Sequence, residues 1–188
     1  MRDLVYKNRS FRRFIQSQRI EYKTLEDLVD LARLSASAAN RQPLKFLLFN
    51  TITDCDRVFP SLAWAGYLKE WPGPEQEQRP AAYIIILGDT SITESFGVDH
   101  GIAAQSIMLG AAEIGLGGCM IASIQKEELR NEFKIPAQYE ILLVLALGFP
   151  LEKVVLEDIK NDDVKYWRDE NGVHHTPTRL LNQVIIKL

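Results

Sequence analysis

Three short segments carry residues whose types and spacing suit ligand chemistry. In Asn8-Arg9-Ser10-Phe11-Arg12-Arg13-Phe14, Arg9 and Arg12 bracket a hydroxyl. A guanidinium fork matches phosphate oxygens bidentately and the hydroxyl adds a donor, so the segment is a plausible phosphate cradle; a solvated basic stretch is the alternative. In Ser35-Ala36-Ser37-Ala38-Ala39-Asn40-Arg41-Gln42-Pro43, small residues leave a helix and two side-chain amides follow beside a proline. Small side chains let a flat ligand approach the backbone, and Asn40 and Gln42 both donate and accept; an ordinary helix end and turn is the alternative. In Gly115-Leu116-Gly117-Gly118-Cys119-Met120-Ile121-Ala122-Ser123, glycines crowd together: five of the chain's eleven fall between Gly101 and Gly118. A dinucleotide fingerprint needs glycine where Met120 stands, and needs strand-turn-helix where the order here is helix-turn-strand. That reading fails on both counts.

The other reactive side chains read as structural. Cys119 borders an apolar strand and suits a buried, inert thiol. His174 and His175 are neighbours in a predicted strand, so they face opposite ways and do not share a metal. His100, beside Asp99 on a helix, suits a surface or capping role. Trp64, Tyr67 and Trp71 offer an aromatic wall for a flat ligand, although core packing explains Trp64 equally well.

The elements that must position these segments follow from periodicity. Leu25, Leu28, Val29 and Ala32 keep helical spacing behind Thr24 as N-cap, which predicts a helix over about 24–37. Strands are predicted over Phe46–Asn50, Ala81–Gly88, Gly118–Ile121 and Ile141–Leu147, the second and fourth apolar enough to be central. Val98–Ile114 reads as a buried helix, and Ser123 as the cap of a polar helix through Phe133. Trp71–Glu77 reads as a mobile surface loop. Glu170-Asn171-Gly172 lies between the strands Lys165–Asp169 and Val173–Thr176, with Asn-Gly as a two-residue hairpin signal. Thr178–Ile186 closes the chain as an amphipathic stretch. Without repeats or linkers, this is one α+β domain over 1–188, with a C-terminal extension after Pro150.

The chain has 188 residues, 46% apolar and 25% charged, which suits a globular domain rather than a disordered or repeat protein. A chain of this length buries roughly 70% of its unfolded surface and needs no metal or disulfide staple, so nothing in its size forbids a monomer. Cys55 and Cys119 lack partners at ligand spacing, and a reducing cytoplasm fits them. Neither a signal-like apolar region nor a membrane-length run is visible. Net charge is −3, yet six basic residues against Asp3 make the first 20 residues +5. The acidic remainder argues against a general nucleic-acid binder and for a small anionic ligand.

The three segments, in this order and at these separations, resemble the nitroreductase family of FMN-dependent oxidoreductases over roughly residues 1–150. The match rests on Arg-Ser-x-Arg-x-Phe at the start and the small-residue turn into Asn-x-Gln-Pro. It continues through Asp99–Gly101 with Ala103-Ala104-Gln105, the Gly-Leu-Gly-x-Cys turn and Leu147-Gly148-Phe149-Pro150. The resemblance implies a mostly antiparallel sheet flanked by helices and an intertwined homodimer with flavins at its interface. It implies that Arg9 and Ser10 bind the FMN phosphate and ribityl end, and that Arg12 lies near N1 and O2 as an electrostatic stabiliser, no side chain acting as nucleophile. Ala36, Ser37, Ala38 and Asn40 would line the ring from the other subunit, with Asp99 grouped among the cofactor-binding residues. Met120, Ile121, Ala122 and Ser123 would run past the ring. A Lys-Arg pair common near the phosphate falls on Thr178-Arg179, leaving Arg179 as candidate, and Asn8 replaces a frequent arginine. Both departures take positive charge from the phosphate end. The implied activity is reduction of FMN by NADH or NADPH followed by transfer to a nitroaromatic, quinone or other conjugated acceptor. A flavin-binding protein of the same fold, storing FMN or contacting a partner without turnover, is the alternative.

Overall fold

Two apolar strands whose side chains alternate between faces, with one bulge between them, set the architecture. The computed structural model describes residues 1–187. In chain order the elements are α1 (Arg2–Lys7), α2 (Tyr22–Arg33), β1 (Leu44–Phe49), α3 (Ile52–Val58), β2 (Ala82–Asp89), α4 (Asp99–Glu113), β3 (Gly117–Ile121), α5 (Lys126–Phe133), β4 (Tyr139–Gly148), β5 (Val154–Asp158), β6 (Trp167–Arg168), β7 (His174–Thr178) and α6 (Leu181–Val184). The main sheet has the order β1-β2-β4-β3 and every pairing in it is antiparallel. β2 and β4 are central, as their apolar composition predicts. Successive side chains of a strand face opposite ways, so Ile84, Ile86, Leu143 and Leu145 pack on α2 and α4, while Tyr83, Ile85, Leu87 and Val144 pack on the α3 and α5 side. Each fully buried side chain of this size contributes about 1.5–3 kcal/mol. The result is the expected α+β fold, an antiparallel sheet with a helical layer on each face.

Several boundaries differ from the sequence reading. The helix predicted over 24–37 runs from Tyr22 to Arg33 with Glu21, not Thr24, at its N-cap. It stops early because the Ser35 hydroxyl donates back to the Leu31 carbonyl at 2.9 Å and also meets Ser106 Oγ at 2.7 Å. Ser123 does not cap α5, whose N-cap is Gln125. Residues 122–125 stay extended, because Ala63 N–H donates to Ser123 O and Gln125 N–H to Ser61 O. The 71–77 stretch is not a free surface loop: Gly73 and Pro74 are buried, and the Arg13 and Arg168 guanidinia lie 5.7 and 4.6 Å from the Trp71 ring. The final stretch forms only the single turn α6, with Leu181, Val184 and Ile185 exposed.

Beyond Pro150 the chain builds a second small sheet of order β5-β7-β6, with β5 parallel and β6 antiparallel to β7. The predicted hairpin is the β6–β7 pair, but its turn is not a two-residue one. Asp169 N–H donates to Val173 O, Gly172 N–H donates to Asp169 O, and only Gly172 takes positive φ, at 77°. A type I′ Asn-Gly turn needs positive φ at both residues, so Glu170, Asn171 and Gly172 make a three-residue loop instead.

Candidate functional site

The site begins at the edge of β3. Ser10 bridges to Gly118 in parallel sense, Phe11 N–H donates to Gly118 O at 2.9 Å, and Leu151 N–H returns to Arg13 O at 3.0 Å. This lays residues 9–13 along the sheet edge, and the glycines of the 115–118 turn make the close approach possible. A Cβ on Gly117 would lie 2.6 Å from the Phe11 ring, and one on Gly118 would lie 2.6 Å from Ala146 O. Gly117 and Gly118 are therefore required sterically, by the N-terminal segment and by strand pairing, while Gly115 takes positive φ at the turn with open space around it.

Arg9, Ser10 and Arg12 line one cleft of about 370 Å³ together with Asn8, Gln105, Met120, Tyr166, His174 and Thr176. Arg12, Met120 and Tyr166 are shared with an adjoining hollow of about 160 Å³, lined also by Trp64, Ile121, Ala122 and Ser123. The two share these residues and make one groove, cationic and hydroxylic at one end and lined at the other by small residues that leave polar backbone accessible. Among the described residues no carboxylate lines either part. Such a groove accepts a flat, elongated anion: two guanidinia and a hydroxyl suit a phosphate, while exposed Ala122 and Ser123 leave backbone accessible to a ring. These residue types fit FMN.

Buried groups behind the groove hold Arg12. Glu152 Oε1 accepts from the backbone N–H of Arg12 at 2.5 Å and of Arg13 at 3.1 Å, and Oε2 accepts from Arg168 at 3.0 Å. The Arg12 guanidinium donates to Ser10 O, approaches His174 Nε2 at 3.2 Å and sits 4.7 Å above the Tyr166 ring. Burial, with Arg12 and Arg168 nearby, holds His174 down at about 4. Burial pushes the Cys119 thiol above its ordinary value, as expected for an inert cysteine. Trp64 is buried against Phe59 and also lines the groove, Tyr67 packs at a tilt against Tyr166, and the Trp71 ring lies against Arg13 and Arg168. No group of His, Cys, Asp and Glu able to hold a metal occurs among the described residues.

Ala36 and Ser37 lie elsewhere, beside a separate hollow of about 160 Å³ whose lining includes Gln42, Asp99 and Ala103 and nothing from the groove. Ala39, Asn40 and Gln42 all take positive φ, between 51° and 55°. Three non-glycine residues in this region within four positions cost of order 1–3 kcal/mol each, so the surrounding structure must hold the segment. Asp99 does the holding: its buried carboxylate accepts from Ser37 Oγ at 2.6 Å and Ala38 N–H at 3.0 Å, which places it as a support for this loop. Arg179 lines neither region and instead donates to Asp162 at 2.7 Å. Tyr166 and Thr176 are groove residues that sequence reasoning did not single out, and His174, read from sequence only as a strand residue that does not share a metal with His175, lines the groove with them.

The family model described as the nitroreductase family matches residues 5–149. A protein of Methanothermobacter thermautotrophicus named "Putative NADH dehydrogenase/NAD(P)H nitroreductase" is 25% identical over 162 residues, covering 82% of this chain and 80% of its own. Among solved structures, an FMN-dependent nitroreductase of Clostridium difficile R20291 superposes with a TM-score of 0.67 at 22% identity, covering 86% of this chain and 92% of its own. A structure titled "putative nitroreductase in complex with FMN", from Exiguobacterium sibiricum 255-15, gives 0.67 at 17% identity over 80% of this chain and 88% of its own. With its antiparallel sheet, its cationic groove and a family match over most of its length, the chain belongs to the nitroreductase family.

Proposed function

We propose that the protein is a homodimeric, FMN-dependent NAD(P)H oxidoreductase. The observation that carries this reading is the groove in which Arg9, Ser10 and Arg12 meet Met120–Ser123 with no carboxylate among them. FMN, when bound, supplies the two-electron chemistry that links NADH or NADPH to a nitroaromatic, quinone or other conjugated acceptor in alternation. In this reading Arg9 and Ser10 hold the phosphate, with Asn8 beside them. Arg12 faces the pyrimidine edge, where a fixed positive charge favours the more negative reduced form. Met120, Ile121, Ala122 and Ser123 run past the ring, and Trp64 and Tyr166 shield it from water.

Ala36, Ser37, Ala38 and Asn40 serve the partner's flavin, with Asp99 fixing their loop. Two observations support a dimer: Ala36 and Ser37 line a different hollow of the same chain, and Leu180, Leu181, Val184 and Ile185 leave apolar surface exposed near the C-terminus. Arg179 reaches a phosphate in this reading only by exchanging Asp162 for it. Among the described residues no helix is long and apolar enough to cross a membrane. Two free, buried cysteines suit a reducing compartment, and we place the protein in the cytoplasm.

The test is a spectrum of the purified protein with added FMN, followed by anaerobic titration with NADH and NADPH. The expected result is a yellow protein that bleaches, with Arg9→Ala and Arg12→Ala each losing flavin or its reduction. Failure to take up FMN overturns the proposal. Colour that persists for minutes under excess nicotinamide favours a storage role.

A further inference from the structure

His174 lies on β7, beyond the family match, and is 1% exposed. Its Nε2 is 3.2 Å from Arg12 Nη1. A guanidinium only donates, so this contact requires the Nε2 lone pair and assigns the single ring proton to Nδ1, a buried atom with no acceptor among the described residues. Around the imidazole stand Arg12, Arg13, Arg168 and the neighbouring His175, with the Tyr166 ring 5.1 Å away. A second ring proton would join that positive cluster, which favours the neutral form. The nearby carboxylate of Glu152 is already committed to two backbone N–H groups and Arg168.

The identity of this partner matters. A carboxylate would fix Arg12 equally well but would cancel the charge that an anionic ligand needs. A neutral imidazole fixes the guanidinium and leaves its charge whole. Ser10 O, His174 Nε2 and the Tyr166 face thus hold Arg12 from three directions at the centre of the groove. We propose that His174 is a positioning residue: its neutral Nδ1–H tautomer holds Arg12 in the groove without neutralising it, so that reduced FMN gains more from the contact than oxidised FMN. This rests on the reading of the groove as the FMN site.

Two measurements on the full chain test it. In ¹⁵N-imidazole spectra at pH 7, with and without FMN, His174 should show a protonated Nδ1 and a bare Nε2. That preference should relax in Arg12→Ala. An Nε2–H tautomer or an imidazolium at pH 7 overturns the proposal. The second is the ratio of oxidised to reduced FMN affinity in wild type, His174→Ala and His174→Gln. A hydrogen bond to a charged group is worth a factor of about ten or more. His174→Ala should therefore weaken reduced FMN relative to oxidised by about tenfold, a downward shift of ~30 mV for a two-electron couple. His174→Gln, which keeps a neutral acceptor, should recover most of it. Equal potentials in all three proteins, with flavin bound, overturn the proposal. If wild type takes up no FMN, the reading of the groove falls, while the ¹⁵N spectrum still decides whether His174 holds Arg12.

Discussion

Replacing Glu152 with alanine removes one carboxylate that organises the whole back wall of the groove. Its side chain is 2% exposed and accepts from Arg168 at 3.0 Å and from the N–H groups of Arg12 and Arg13 at 2.5 and 3.1 Å. Breaking a buried ion pair from one side costs about 3–5 kcal/mol, because the remaining charge is stranded. Arg168 is poorly placed to be stranded: burial already holds its pKa below the ordinary value, with Glu152 the main influence opposing that. Each orphaned N–H adds about 1–3 kcal/mol where water cannot reach it. These losses share one local rearrangement and do not add fully, so the expected destabilisation of Glu152→Ala is about 3–5 kcal/mol. Against a typical total of about 5–15 kcal/mol this is a large fraction, measurable by urea unfolding at fixed protein concentration with an unchanged slope. The double variant Glu152→Ala/Arg168→Ala removes the stranded charge and should recover about 1–2 kcal/mol relative to Glu152→Ala alone. A loss below about 1 kcal/mol in the single variant, or a double variant that falls by the sum of the two singles, refutes the reasoning.

Two further outcomes follow from the same geometry. Gly118→Ala would put a Cβ 2.6 Å from Ala146 O and 2.8 Å from Met108 Cε. The backbone oxygen cannot move away, so a loss of about 1–3 kcal/mol is expected; an unchanged Tm contradicts it. The adjacent histidines should respond to pH in opposite senses. His174 is held down at about 4 from 6.5, so its neutral form contributes about 3 kcal/mol that is fully present above pH 6.5 and lost as pH falls towards 4. His175 is pulled down by burial, but its bonds to Glu157 and Asp169 outweigh that and raise it. Its contribution is present below pH 6.5 and is lost as pH rises through the raised value. Urea midpoints from pH 4.5 to 8 in wild type, His174→Gln and His175→Gln should show the two variants altering opposite limbs of the profile. Parallel profiles contradict the assignment.

Legibility in the sequence tracked the range of the interactions. β2 and β4 were readable because burial on both faces, complete along β2 and over residues 143–148 of β4, leaves a long apolar run, and their central position followed from it. Helix ends were less readable because remote groups set them. Ser106 shares the Ser35 hydroxyl at the end of α2, and Ser61 and Ala63 keep residues 122–125 extended before α5. Arg9, Ser10 and Arg12 were legible as an anion site because the charge excess is local. The partnership of Tyr166, His174 and Glu152 with Arg12 was not: Asn171-Gly172 marks the hairpin around Tyr166 and His174, but nothing local shows that this segment folds back onto Arg12, 140 residues away from Glu152 and 162 from His174.

The fate of the basic N-terminus shows why charge alone underdetermines a site. Arg2 and Lys7 stay exposed on α1, while Arg9 donates to Val5 O and also faces the groove. Arg13 turns away to Trp71, and Arg12 is held at the centre. Of six basic residues in the first 20, only two reach the cleft, so the +5 of that segment exaggerates the charge a ligand would meet. What distinguishes Arg12 is its surroundings: backbone N–H groups fixed by a buried carboxylate, and a guanidinium fixed by neutral groups. An arginine arranged this way loses little on meeting an anion, because it is already ordered and its charge has not been spent on a carboxylate. That arrangement depends on the segment after Pro150, so truncation there would remove a wall of the groove as well as part of the fold.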